Sequence, residues 1–280
     1  MLSYRHSYHA GNYADVLKHS VLIHILEYLK KKDKPYCYID THAGAGMYSL
    51  RSEQAVKTNE YQQGIGALWQ QDDLPPAIAE YRELIKSFND AGQLAFYPGS
   101  PLIAMELMRK QDRLFLYELH NTEINILEAA IKRDQRVTVL HKDGFKDCLR
   151  LMPPQQRRGL VLIDPSYEMK TDYQQVVDTL IQLHKRFATG TYALWYPVVE
   201  RQRINELEEN IAASQLSNVQ LFELAQAADS DQYGMNASGM IIVNPPWTLK
   251  AEMEQVLPYL AKQLGIGGEG SYRIKQVKAE

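Results

Sequence analysis

The chain has 280 residues, 45% of them hydrophobic and 23% charged, with 16 Gly and 12 Pro. That composition excludes disorder, collagen and coiled coil, and the length suits one large α/β domain with an insertion better than two equal domains. A formal charge of −3, from 31 Lys plus Arg and 34 Asp plus Glu, excludes a uniformly basic nucleic-acid binder. It leaves room for a local basic face, because binding follows the field at the site.

Two cysteines, Cys37 and Cys148, imply no disulfide framework. The first residues lack the apolar core of a signal peptide and no run of 18 apolar residues occurs, so a cytoplasmic protein is expected. The histidines have no Cys-x-x-Cys partner, so no metal is expected. Nothing demands an oligomer, and a monomer is the expectation.

In chain order, Ala14 to Lys31 carries a helical apolar stripe that ends in lysines, which suit the negative end of the helix dipole. Tyr36 to Asp40 reads as a buried strand feeding the glycine loop Thr41-His-Ala-Gly-Ala-Gly46. Three further apolar runs, Leu114 to Glu118, Val137 to His141 and Leu160 to Asp164, end in polar residues. Helical patterns at 101–109, 122–133 and 145–151 separate them. Strands alternating with helices predict a parallel sheet with ligands outside its carboxyl ends. Further strands are expected at 191–196, 219–224 and 239–244, seven in all, with helices at 173–186, 199–213 and 251–264.

About 67 residues separate Gly46 from Leu114, more than one crossover needs. Residues 48–96 are therefore read as an inserted helical subdomain, with 1–47 and 97–280 as the main domain. The crossover helix would start at Pro98-Gly-Ser100-Pro101, with Ser100 as N-cap.

Gly44-x-Gly46 is a weak dinucleotide signal, with Ser49 where the third small residue belongs. Glu118, at the end of the second main strand, could accept from two ribose hydroxyls, and Asp143-Gly144 could accept from an adenine amino group. For each acid the bland alternative is a helix cap. The strongest local signal is Asp164-Pro-Ser-Tyr167 after a buried strand. It resembles the Asp/Asn-Pro-Pro-Tyr/Phe signature of amino-group methyltransferases that use S-adenosylmethionine. An exocyclic base amine is a poor nucleophile. Asp164 and the Pro165 carbonyl would accept its two hydrogens, and Tyr167 would stack the extruded base. Ser166 departs from the signature. Asn244-Pro-Pro-Trp247 fits it better as a string but follows the last strand, and is read as a turn lining the pocket.

The amino-terminal cluster, Tyr4-Arg5-His6, His9 to Asn12, then Asp15 and Lys18-His19, puts residues 15, 18 and 19 on one helix face. Residues 1–34 carry a charge of +3, whereas 204–231 hold six acids and no Lys or Arg. An RNA surface is accordingly expected at Lys18 and Lys30 to Lys34, or else at Arg157, Arg158, Lys185 and Arg186.

Taken together, HAGNYADVLKH at 9–19, DTHAGAG at 40–46, YPGSP at 97–101, DGF at 143–145 and IDPSYEMKTDYQ at 163–174 resemble the RlmJ family of bacterial 23S rRNA (adenine-N6)-methyltransferases. The resemblance spans essentially the whole chain. It implies a Rossmann-like, class I S-adenosylmethionine-dependent methyltransferase with a small helical insertion, acting on one adenine of 23S rRNA. It also implies that Lys18, His19, His42, Gly44, Ser100, Glu118, Asp143, Gly144 and Asp164 contact S-adenosylmethionine. Asp164, with Pro165 and Tyr167, would be catalytic, and Tyr4, His6 and Lys18 would lie beside the target base. A DNA adenine substrate, or a non-catalytic RNA-binding pseudo-methyltransferase, is the alternative.

Overall fold

The computed structural model describes residues 4–90, 92–229 and 234–279. After a 3₁₀ turn at His6–Tyr8, helix α1 runs Tyr13–Lys30, capped by Asn12, whose side chain accepts from the amides of Ala14 and Asp15. Strand β1 (Cys37–Asp40) leads through the glycine loop to β2 (Met47–Ser49). Three helices follow, α2 (Glu53–Thr58), α3 (Ile65–Leu68) and α4 (Pro76–Lys86), before β3 (Phe96–Pro98) and α5 (Ser100–Leu107). The alternating part comprises β4 (Arg113–Tyr117), α6 (Asn121–Ile131), β5 (Val137–Leu140), α7 (Gly144–Asp147), β6 (Gly159–Ile163), α8 (Asp172–Arg186) and β7 (Thr191–Val198). The chain closes with α9 (Arg201–Ala213), β8 (Val219–Ala225), β9 (Ala237–Val243), α10 (Leu249–Leu264) and β10 (Ser271–Lys278).

Eight strands form one sheet in the order β5-β4-β1-β6-β7-β9-β8-β10. From β5 to β7 neighbours are parallel; β9, β8 and β10 pair antiparallel. Every residue of β1 and β6 is buried, as a parallel strand covered on both faces requires. One core packs α1, α5 and α10 on one face, and a second packs α8 and α9 on the other. The chain leaves β1 toward β4 on one side and returns to β6 on the other, so the strand order reverses beside β1 and opens a crevice at the carboxyl ends. This is the Rossmann-like architecture expected.

Two expectations need correction here, the strand count and the cap of α5. The main sheet has eight strands, because the expected seven omit β10. Its sequence, SYRIKQVK, hides its nature with charge: Arg273 and Lys275 bond Glu208 on α9, a usual way to blunt an edge strand. The glycine loop opens no helix, since Ser49 lies in β2, which pairs antiparallel with β3. The crossover helix is delayed to α5, where Gly99 is the cap and Ser100 the first helical residue, its hydroxyl donating to Asp40 Oδ2 at 2.7 Å. The helices between β2 and β3 contribute Ile65, Leu68, Ile78, Tyr81 and Ile85 to the core that contains α1.

Antiparallel β9 also relocates Asn244. It sits at the amino end of β7, donating to the carbonyls of Ala188 and Gly190 at 2.7 and 2.8 Å, and does not line the crevice. Among the described residues, no helix is long and apolar enough to cross a membrane.

Candidate active site

A cavity of about 790 Å³ lies over the carboxyl ends of β1, β4, β5, β6 and β7, within the ~300–1,000 Å³ range of ligand pockets. The structure brings together the residues expected at the cofactor and the target base. Tyr4, His6, Lys18, His19, His42, Gly44, Ser100, Glu118, Asp143, Gly144, Asp164, Pro165 and Tyr167 all line it.

The α1 segment supplies its charge. Asn12 fixes the start of the helix, so Asp15 and Lys18, three apart, meet at 2.9 Å, both buried. Lys18 Nζ also reaches Asp164 Oδ2 at 2.6 Å. Asp15 Oδ2 accepts from the Gly11 amide and lies 2.8 Å from His6 Nε2, while the Tyr4 hydroxyl lies 2.9 Å from His6 Nδ1. Burial alone would raise the Asp15 carboxyl, but His6, Lys18 and His19 hold it well below the usual carboxylate range. Burial likewise opposes the Lys18 ammonium, yet Asp15 and Asp164 more than reverse that and raise its pKa. Lys18 is therefore an internal counter-ion, and the expectation that it belongs to an RNA-facing surface is corrected.

The strand-end residues surround the space beyond. Gly44, at φ +61°, donates its amide to Glu118 Oε2 at 2.7 Å, and Glu118 Oε1 accepts from the His120 amide at 2.6 Å. Asp143 caps α7 through the Phe145 amide, while Gly144 packs so close to the Thr41 carbonyl that a side chain there would collide. Burial pushes the imidazoles of His19 and His42 down to about 3 and about 4, so both are neutral at pH 7. His19 Nδ1 meets the Tyr97 hydroxyl at 2.7 Å, and its Nε2 is buried with no partner among the described residues.

The loop after β6 is strained. Tyr167 has φ +53°, a conformation costing an aromatic residue on the order of 1–3 kcal/mol. Its hydroxyl donates to the Trp195 carbonyl at 2.7 Å, and its ring packs 4.6 Å from that of Tyr173. Strain held in place beside a buried ion pair makes this loop a candidate for the cavity's chemistry.

A family model described as "RsmJ: Ribosomal RNA large subunit methyltransferase D, RlmJ" matches residues 33–277. The chain belongs to the RlmJ family. It is 52% identical to proteins named "Ribosomal RNA large subunit methyltransferase J" from Escherichia coli K12 and Haemophilus influenzae Rd, over 280 and 281 residues and the full length of each chain. A solved structure of a Legionella pneumophila Philadelphia 1 protein superposes with a TM-score of 0.89 at 38% identity, covering 96% of this chain and 98% of that one. As an RlmJ-family member the chain is a methyltransferase.

Several residues lining this RlmJ-family cavity were absent from the expected site. In the sequence Asp15 reads only as part of a helix face, although its i+3 lysine signals an internal pair. Glu60, which lies 2.9 Å from His9 Nδ1 and accepts from Asn12 Nδ2, comes from the polar stretch between β2 and β3, where nothing local shows that it folds back. Trp195, whose ring lies 5.7 Å from Lys18 Nζ, sits mid-strand and reads as core.

Proposed function

We propose that this RlmJ-family enzyme methylates the N6 amino group of an adenine in 23S rRNA, using S-adenosylmethionine, as a cytoplasmic monomer. The observation that carries the reading is the Asp164-Pro165-Ser166-Tyr167 loop beside the glycine loop, with Lys18 bonded to one oxygen of Asp164.

The cavity fits the cofactor. Strand-end carboxylates Glu118 and Asp143 suit ribose and adenine donors, and the buried, partnerless His19 Nε2 is a polar atom awaiting a ligand. His19, His42, Gly44, Ser100, Glu118, Asp143 and Gly144 would hold it, with Lys18 and Asp164 at its reactive end. When bound, S-adenosylmethionine supplies an electrophilic methyl group on a sulfonium.

The chain's own residues prepare the acceptor. Lys18 occupies Asp164 Oδ2, and no hydrogen bond joins Oδ1 to a described residue. In this reading Oδ1 and the Pro165 carbonyl accept the two N6 hydrogens, aiming the nitrogen lone pair at the methyl group. Tyr167 presents its ring to the flipped base, while Tyr4 and His6 close the other side. Ser166 replaces a proline, but the strained turn is kept by the hydrogen bond from Tyr167 to Trp195. The amine's proton leaves after transfer to solvent or a neighbouring side chain.

The test is methylation of 23S rRNA from cells lacking this protein, with nucleosides identified by mass spectrometry. N6-methyladenosine is expected; any other methylated nucleoside overturns the reading.

A further inference from the structure

The two edges of the parallel sheet carry opposite charge. Loops leaving the five parallel strands, 41–46, 118–120, 141–143, 164–171 and 199–200, hold five carboxylates and two lysines. Those entering them, 31–36, 108–112, 132–136, 152–158 and 187–190, hold ten Lys or Arg and three Asp. Of the three acids, Asp112 is buried against Arg109, Asp134 is paired with Arg136, and Asp33 accepts from Gln111. Lys32, Lys34, Lys110 and Arg157 are exposed and pair with no carboxylate among the described residues.

These loops form one surface. Arg109 donates to the carbonyls of Lys32 and Lys34, Arg158 donates to that of Lys34, and Cys37 at the start of β1 bonds Arg158. Beyond β6, the exposed Lys185 lies in the last turn of α8. There Asn244 ties the Pro245-Pro246-Trp247 turn to the carbonyls of Ala188 and Gly190, leaving Trp247 82% exposed. From β5 to β9 the row crosses five strand spacings, about 24 Å, comparable to the width of a nucleic-acid duplex. It lies roughly 20 Å from Lys18 along α1.

The crevice rim is net acidic, and the cations that line the cavity, Lys18, Lys146 and Arg203, are each paired with a carboxylate. Unpaired cations are concentrated instead on the amino edge. We propose that the amino edge of the sheet is a second RNA-docking surface, which holds a segment of the large-subunit rRNA distant from the target adenine through its phosphates, with Trp247 stacking an unpaired base. The inference rests on the reading of the chain as an rRNA methyltransferase.

The test combines Lys32→Gln, Lys34→Gln, Lys110→Gln, Arg157→Gln and Lys185→Gln in one variant and makes Trp247→Ala separately. Binding of 23S rRNA is measured by fluorescence anisotropy from about 50 to 200 mM salt. Methyl transfer is measured on 23S rRNA and on a fragment of roughly 20 nucleotides around the mapped adenine, short enough to occupy the crevice alone. The fivefold variant should bind 23S rRNA at least about 10-fold more weakly, and its log–log salt slope should shrink by about 3 to 4. Its kcat/KM on the fragment should stay within about 2-fold of wild type. Trp247→Ala should weaken binding about 10-fold with the slope unchanged. An unchanged slope in the fivefold variant, or equal losses on rRNA and fragment, overturns the docking surface. Patch-dependent binding by a wild-type protein that transfers no methyl group overturns the catalytic reading and keeps the surface. No rRNA binding by the wild type overturns both.

Discussion

The Asp15, Lys18 and Asp164 cluster in the crevice and the Glu208, Glu223, Arg201 and Arg273 cluster under β10 both pair carboxylates with cations, the carboxylates buried or nearly buried in each. Under β10 the carboxylate oxygens are all engaged. Glu223 accepts from Tyr196, Arg201 and Arg273, and Glu208 accepts from Arg273 and Lys275. In the crevice one lysine serves two acids, and Asp164 keeps an oxygen without a partner among the described residues beside a large cavity. Charge and burial are common to both clusters, so they do not distinguish a site from a structural fastening. Unfilled hydrogen-bonding capacity facing a cavity does.

The largest expected effect separates the two clusters most sharply. Asp164→Ala should reduce methyl transfer by on the order of 10²–10⁴-fold. Thermal stability should change little, because the residue is partly exposed. An active Asp164→Ala enzyme in a tritiated-methyl assay would move the chemistry elsewhere. Lys18→Met should impair both properties. It leaves two carboxylates near each other without their cation, costing about 3–5 kcal/mol, and it unpins Asp164. Glu223→Leu is the converse. It should lower stability by about 3 kcal/mol in chemical denaturation, while kcat per folded molecule stays near wild type. A selective loss of activity in Glu223→Leu would break the distinction.

The sequence made the crevice legible because its residues stand at strand ends. Each of Glu118, Asp143 and Asp164 follows an apolar run, and parallel topology gathers such residues whatever the loop lengths. What it hid is equally physical. Lys18 counted as surface charge, since no local pattern shows that a lysine will reach a carboxylate 146 positions away. Antiparallel β9 carried Asn244 to the opposite edge, an outcome set by strand direction and invisible in the better-matching string Asn244-Pro-Pro-Trp247. Strand β10 escaped because its alternation, Tyr272 and Ile274 between Arg273 and Lys275, is short and breaks at the register shift near Gln276, while its charges pair with α9.

The smallest effect concerns two buried acids that differ in company. Asp15 has a cation, and its pKa is depressed in the folded chain. Its contribution is present above its unfolded value and lost as pH falls through the folded one. Asp40, fully buried under the glycine loop, has hydroxyl and amide donors from Tyr38, Ser100 and His42 but no cation, and burial pushes it up to about 6. A raised carboxyl works in the opposite direction. Below about pH 4 the proton is bound in both states and stability is full; as pH rises through about 6 the folded state must ionise a buried acid, and up to about 3 kcal/mol is lost. Asp40→Asn keeps an acceptor for the two hydroxyls and removes the ionisation. It should therefore flatten stability between pH 4 and 6, and gain on wild type at pH 7. Asp15→Asn should instead flatten the acid limb and lose at pH 7. Urea denaturation across that range reads both, and parallel pH profiles for the two variants would show that the lysine beside Asp15 does not set the difference between these acids.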